Sequence, residues 1–155
     1  MKYKLTNNKK DVCGRTLYQI EALKDFGNIK KGDLGGWIER EDNLSQDDNC
    51  WVSGNAWVSG DARVYENAQV FENAWVLDNA RVSGDAEVSG NARVSGDAQV
   101  SGNARLSANL HYKTGTDYWK AQYVLGDYEI EEQDDNVALE AIKLLEEKGY
   151  KIIKK

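Results

Sequence analysis

Over residues 52–111 the apolar positions of this chain recur every six residues. Ten consecutive hexads read VSGNAW, VSGDAR, VYENAQ, VFENAW, VLDNAR, VSGDAE, VSGNAR, VSGDAQ, VSGNAR and LSANLH. Position one is Val nine times and Leu106 once; position five is Ala nine times and Leu110 once. Ala, a variable residue and Val alternate inward, outward, inward, which is the period of a short strand. Position four is Asn or Asp in all ten hexads, and position three is Gly in six, at Gly54, Gly60, Gly84, Gly90, Gly96 and Gly102. That pair turns a corner, because Gly, Asn and Asp tolerate positive φ.

Self-similarity at a short fixed period is the mark of a solenoid. One strand and one corner per hexad make one side of a polygon, and three sides close a triangular coil. The ten hexads then form an all-β solenoid, a three-sided parallel β-helix of about 3.3–3.7 coils stacked roughly 4.8 Å apart. Val fills the interior, and Ala fits where the walls converge. Residues one coil apart lie above one another, so Asn55, Asn73, Asn91 and Asn109 are expected to form a corner ladder of side-chain amides.

The flanks break the period and are expected to cover the open ends of the coil, where unpaired strands invite association. Residues 1–43 read as a β-rich N-terminal cap, with strands near residues 3–6 and 16–23. The KLTNNKKDVCG stretch between them has turn composition. Residues 44–111 are the β-helix proper. Residues 112–155 read as an α+β cap or lobe, with strands near 123–125, 127–131 and 150–153. A helix is predicted over 136–148, where Val137, Ala141, Leu144 and Leu145 form an apolar stripe.

The hexad pattern resembles that of left-handed parallel β-helix proteins, and the resemblance implies the left hand. Upstream, the words Asp25-Phe26, Gly35-Gly36-Trp37, Asn43-Leu44-Ser45 and Cys50-Trp51 resemble the lead-in segment of bacterial and phage-encoded hexapeptide-repeat proteins described as polymer-forming or transferase-like. That resemblance implies a phage or mobile-element origin and, by extension, an inhibitor of a host system.

Charge narrows the function classes. With 26 acidic and 20 basic side chains the net charge is −6, so a binder of nucleic-acid backbone, which needs a basic stripe, is disfavoured. No apolar run approaches the roughly 20 residues of a membrane span, and the start, MKYKLTNNKKD, lacks the apolar core of a signal peptide. A cytoplasmic protein without membrane contact is expected. Cys13 and Cys50 fit that compartment as free thiols, Cys50 standing where later hexads place an inward Ala.

Outward positions shape the faces. One column reads Trp57, Trp75, Arg93, His111, beside Ser59, Leu77 and Ser95. The second reads Trp51, Gln69, Glu87, Arg105, beside Phe71. The third reads Arg63, Arg81, Gln99, beside Tyr65. An outward Trp column is unusual on a soluble surface, and Trp57, Trp75, Arg93, Leu77, Trp51 and Phe71 are the candidate partner-binding residues. They predict a non-enzymatic interaction or scaffold protein that meets another protein, or a second copy of itself as a homo-oligomer. Cover by the chain's own ends would also explain them. No cofactor or metal is expected. The one histidine, His111, would be catalytic only in an alternative reading, a trimeric acyltransferase-like enzyme. Another alternative is a polymer-forming structural protein. No Walker loop, CxxC or nucleophile elbow is present.

Overall fold

The computed structural model describes residues 1–106 and, beyond them, the strand segments His111–Thr114, Tyr118–Ala121, Glu129–Glu131 and Ile152–Lys154. The chain opens with a hairpin of β1 (Tyr3–Val12) and β2 (Arg15–Ala22), followed by β3 (Leu34–Ile38). Ten short strands follow at hexad spacing: β4 (Trp51–Val52), β5 (Trp57–Val58), β6 (Arg63–Val64), β7 (Gln69–Val70), β8 (Trp75–Val76), β9 (Arg81–Val82), β10 (Glu87–Val88), β11 (Arg93–Gly96), β12 (Gln99–Val100) and β13 (Arg105–Leu106). β14 (His111–Thr114), β15 (Tyr118–Ala121), β16 (Glu129–Glu131) and β17 (Ile152–Lys154) complete the order.

Three ladders result. The first face runs β1-β2-β3-β5-β8-β11-β14-β16, the second β4-β7-β10-β13, and the third β6-β9-β12-β15-β17. Within the hexads all pairing is parallel and in phase. Trp57 lies opposite Trp75 and Val58 opposite Val76 on the first face, Glu87 opposite Arg105 on the second, and Arg63 opposite Arg81 on the third. The described residues therefore form an all-β solenoid whose coil is three hexads long. Val52 to Val94 and Ala56 to Ala98 at the inward positions are wholly buried. A larger side chain in this column has nowhere to go, so Ala86→Leu is expected to destabilise the protein by about 1–3 kcal/mol, read as a lowered melting temperature by circular dichroism.

The coil begins earlier than the repeat. β3 pairs in parallel with β5, Trp37 opposite Trp57 and Ile38 opposite Val58, and Leu44 bridges Val64 in parallel. The first rung of the first face thus lies inside the segment expected to be cap. At the other end, parallel pairing continues past residue 111, with His111 opposite Glu129 and Gln99 opposite Tyr118. The predicted strands near 127–131 and 150–153 overlap β16 and β17. The helix over 136–148 and the strand near 123–125 lie outside the described residues.

The strand expected near residues 3–6 is present and runs on through residues 7–12, whose composition reads as turn. Its partner is β2, and the reversal is confined to Cys13 and Gly14, both at positive φ (52° and 76°). Two successive positive-φ residues match the twist of the flanking strands, which is why such short turns close hairpins. The turn-like residues inside β1 are absorbed by an irregularity between Leu5 and Lys9.

The hairpin seals the first coil. Tyr3, Ile20 and Ala22 join the core, with Leu5, Phe26 and Ile29 packed on it. Beneath them the buried Lys2 ammonium donates to the carbonyl of Cys50 at 2.8 Å and of Asp47 at 3.1 Å, and lies 3.2 Å from the Cys50 thiol. Burial lowers the pKa of Lys2 and raises that of Cys50. Cys13 is exposed and Cys50 buried, so a thiol reagent is expected to modify Cys13 alone in the native protein and both cysteines in denaturant.

The corners use two chemistries. Most coils place Gly at position three with positive φ, but one coil carries Glu66, Glu72 and Asp78 there, at φ 58°, 60° and 60°. A left-handed non-Gly residue is disfavoured by about 1–2 kcal/mol. Each of these carboxylates accepts a hydrogen bond from a backbone N–H one coil on: Glu66 from Gly84, Glu72 from Gly90 at 2.6 Å, and Asp78 from Gly96 at 3.0 Å. Such charge-assisted bonds offset the strain. One position along, Asn55 donates to Asn73 at 3.3 Å, the first step of the ladder expected from the repeat, and on another corner Asn79 donates to Asp97 at 3.1 Å. Asn109, its last predicted member, lies outside the described residues.

Candidate interaction face

The first face carries a column that the hexads only half reveal. Trp57 and Trp75 are register partners with ring centroids 4.7 Å apart and planes tilted by 48°. Below them the Arg93 guanidinium sits 3.8 Å from the Trp75 ring centroid. Above them β3 sets Trp37 in register with Trp57, and the Lys10 ammonium, delivered by β1, lies 4.4 Å from the Trp37 ring centroid. Lys10, Trp37, Trp57, Trp75 and Arg93 thus follow one another along one column, with a cation over the ring at each end. Each cation–ring contact contributes about 0.5–1 kcal/mol at an exposed site. Partial burial lowers the pKa of the Lys10 ammonium.

Exposure divides the column. Trp57 is 4% exposed, on a strand that lies between those of Trp37 and Trp75. Trp75 and Leu77 are half-buried, and Arg93 is exposed. The accessible part of the face is therefore its lower end, while Trp57 supports it from within. The next rung is His111, whose backbone lies opposite Arg93; its side chain lies outside the described residues.

Trp51 is not part of this surface. Expected to point outward as a partner-binding residue, it is 2% exposed because the cap folds over it. Phe26 meets it edge-on at 5.3 Å and Tyr3 at 6.3 Å. The third wall is Gly35, where a Cβ would come within 2.6 Å of Trp51 Cζ2. Phe71 is half-buried on the second face beside Gln69 and does not join the column. Of the six candidates, the structure thus brings Trp57, Trp75, Leu77 and Arg93 to one face.

Sequence reasoning missed Trp37 and Lys10. The Gly-Gly-Trp word was visible, but Trp37 lies outside the hexad phase. Lys10 reaches the column only because β1 extends the first sheet by way of β2.

Fold and register define a β-solenoid repeat protein. Residues 80–102 match the family model of the YdcK beta solenoid repeat. The matched stretch contains β9 to β12 and, with Arg93, the lower end of the column. A comparison with curated proteins found no match. Among the described residues, no helix is long and apolar enough to cross a membrane.

Proposed function

We propose that this chain is a non-enzymatic interaction protein, and that the lower end of the first face, Trp75, Leu77 and Arg93, is where a different protein docks. The carrying observation is the column of Trp residues with a cation over the ring at each end, set on one face of the solenoid. Trp and Arg are the residues most enriched at the energetic centres of protein interfaces. Here they are held before any partner arrives. The Trp75 N–H donates to the Ala92 carbonyl at 2.9 Å and that of Leu77 to the Val94 carbonyl at 2.8 Å, so little backbone freedom remains to be lost on binding. The sealed first coil argues against growth of filaments by coil-on-coil stacking at that end. The resemblance of the lead-in segment to phage-encoded proteins supports a narrower reading, in which the partner belongs to a host and is inhibited.

A Trp75→Glu/Leu77→Glu variant is expected to keep the β-solenoid circular dichroism spectrum and to lose its partner, with affinity reduced at least about 100-fold. Quantitative co-purification from cells that express the protein naturally measures this, with Gln99→Glu on the third face as the control that retains the partner. A folded double variant that keeps every contact of the unaltered protein overturns the reading.

A further inference from the structure

The third face holds a groove of about 520 Å³, with Glu41, Asp42, Ser45, Arg63, Tyr65 and Arg81 among its lining residues. Arg63 and Arg81 are direct register partners on β6 and β9, one coil apart, so two like-charged side chains leave neighbouring strands whose backbones lie roughly 4.8 Å apart. Like charges directly opposite one another destabilise a sheet. Elsewhere in the described residues the arginines are engaged: Arg15 with Glu39, Arg40 with Asp61, Arg105 with Glu87, and Arg93 over Trp75. The side chains of Arg63 and Arg81 alone among them have no ion pair, hydrogen bond or ring contact, and both are exposed. The two unengaged arginines are the two that are register partners, and they line the same groove.

We propose that this groove binds a small phosphorylated polyol, its phosphate monoester bridged between Arg63 and Arg81. A phosphate monoester near neutral pH carries a charge of about −1.5 to −2 and three acceptor oxygens. That answers two adjacent guanidiniums, each a rigid fork of N–H donors. A single carboxylate would leave one of the two charges unanswered. Glu41 and Asp42, which also line the groove, are exposed and acidic; they repel an extended polyanion such as a nucleic-acid backbone and accept hydrogen bonds from hydroxyl groups. The half-buried Tyr65 ring offers a flat surface for the carbon skeleton. The volume falls within the range of small-molecule sites. This site lies on another face from the aromatic column and stands independently of it.

Isothermal titration calorimetry with glucose 6-phosphate, inorganic phosphate and glucose tests it. Glucose 6-phosphate is expected to bind more tightly than inorganic phosphate, and glucose alone not to bind. Arg63→Gln and Arg81→Gln are each expected to weaken glucose 6-phosphate binding roughly tenfold or more. Both side chains are exposed, so the variants keep the fold, which circular dichroism verifies. Glu41→Gln/Asp42→Asn is expected to weaken glucose 6-phosphate and to spare inorganic phosphate. A phosphoserine peptide forms a further arm; its binding in place of glucose 6-phosphate moves the phosphate monoester to a protein source and overturns the small-molecule assignment. Absence of heat with both phosphate probes, or equal heat with the Arg63→Gln/Arg81→Gln variant, overturns the site itself.

Discussion

Gly35→Val is expected to detach the N-terminal cap from the first coil and destabilise the protein by about 3 kcal/mol or more. The backbone there approaches its neighbours so closely that a single added carbon has no room. A Cβ on Gly35 would lie 2.5 Å from Ile20 Cγ1, 2.6 Å from Trp51 Cζ2 and 2.6 Å from the Val52 carbonyl oxygen. None of these can withdraw easily: Ile20 and Trp51 are core, and the carbonyl belongs to β4. The neighbouring Gly36 is equally constrained, with a Cβ 2.6 Å from the Ala56 carbonyl oxygen. The pair therefore serves close packing of β3 on the coil and not a special φ. A drop in melting temperature of roughly 6–12 °C follows for a chain of this size. Loss of native-state amide protection confined to residues 1–38 would show that the cap opens before the coil does. An unchanged melting temperature contradicts this packing.

Trp51→Ala is the second large effect, at about 3–5 kcal/mol. Its indole fills the space between Tyr3, Phe26 and Gly35, and its removal leaves a cavity that a regular coil cannot collapse to fill. Trp75→Ala makes the comparison informative. Trp75 is half-buried at the open end of the column, so its truncation is expected to destabilise the protein by less than half as much. Chemical denaturation of the two variants side by side measures the difference. Equal losses would mean that Trp75 is as enclosed as Trp51, and the docking face would disappear with that result.

These two tryptophans mark where sequence was readable and where it was not. The coil was legible because its rule is local and repeated: Val and Ala recur in phase, and Asn55 above Asn73 follows from the period alone. The corner bonds were legible in principle too, since Glu66 and Gly84, Glu72 and Gly90, and Asp78 and Gly96 are each one coil apart. Trp51 obeys the outward phase of its hexad, yet it is buried by residues near the chain start, a non-local contact that no period encodes. The turn composition of KLTNNKKDV was misleading for a related reason. β2 supplies a pairing partner that outweighs the weak strand preference of Asn and Lys, a familiar dependence of strand formation on context. Trp37 escaped because the lead-in rung is out of phase with the hexads, so its place above Trp57 depends on how β3 docks.

The claim that most needs testing is that the lower end of the first face is the contact surface for a different protein. A photo-crosslinking residue, benzoylphenylalanine, placed at position 77 and separately at position 99, measures it directly. The account predicts a cross-link to one partner protein from position 77 and none from position 99 on the third face. Cross-links from position 99 alone, or from position 77 only to a second copy of this chain, would contradict it.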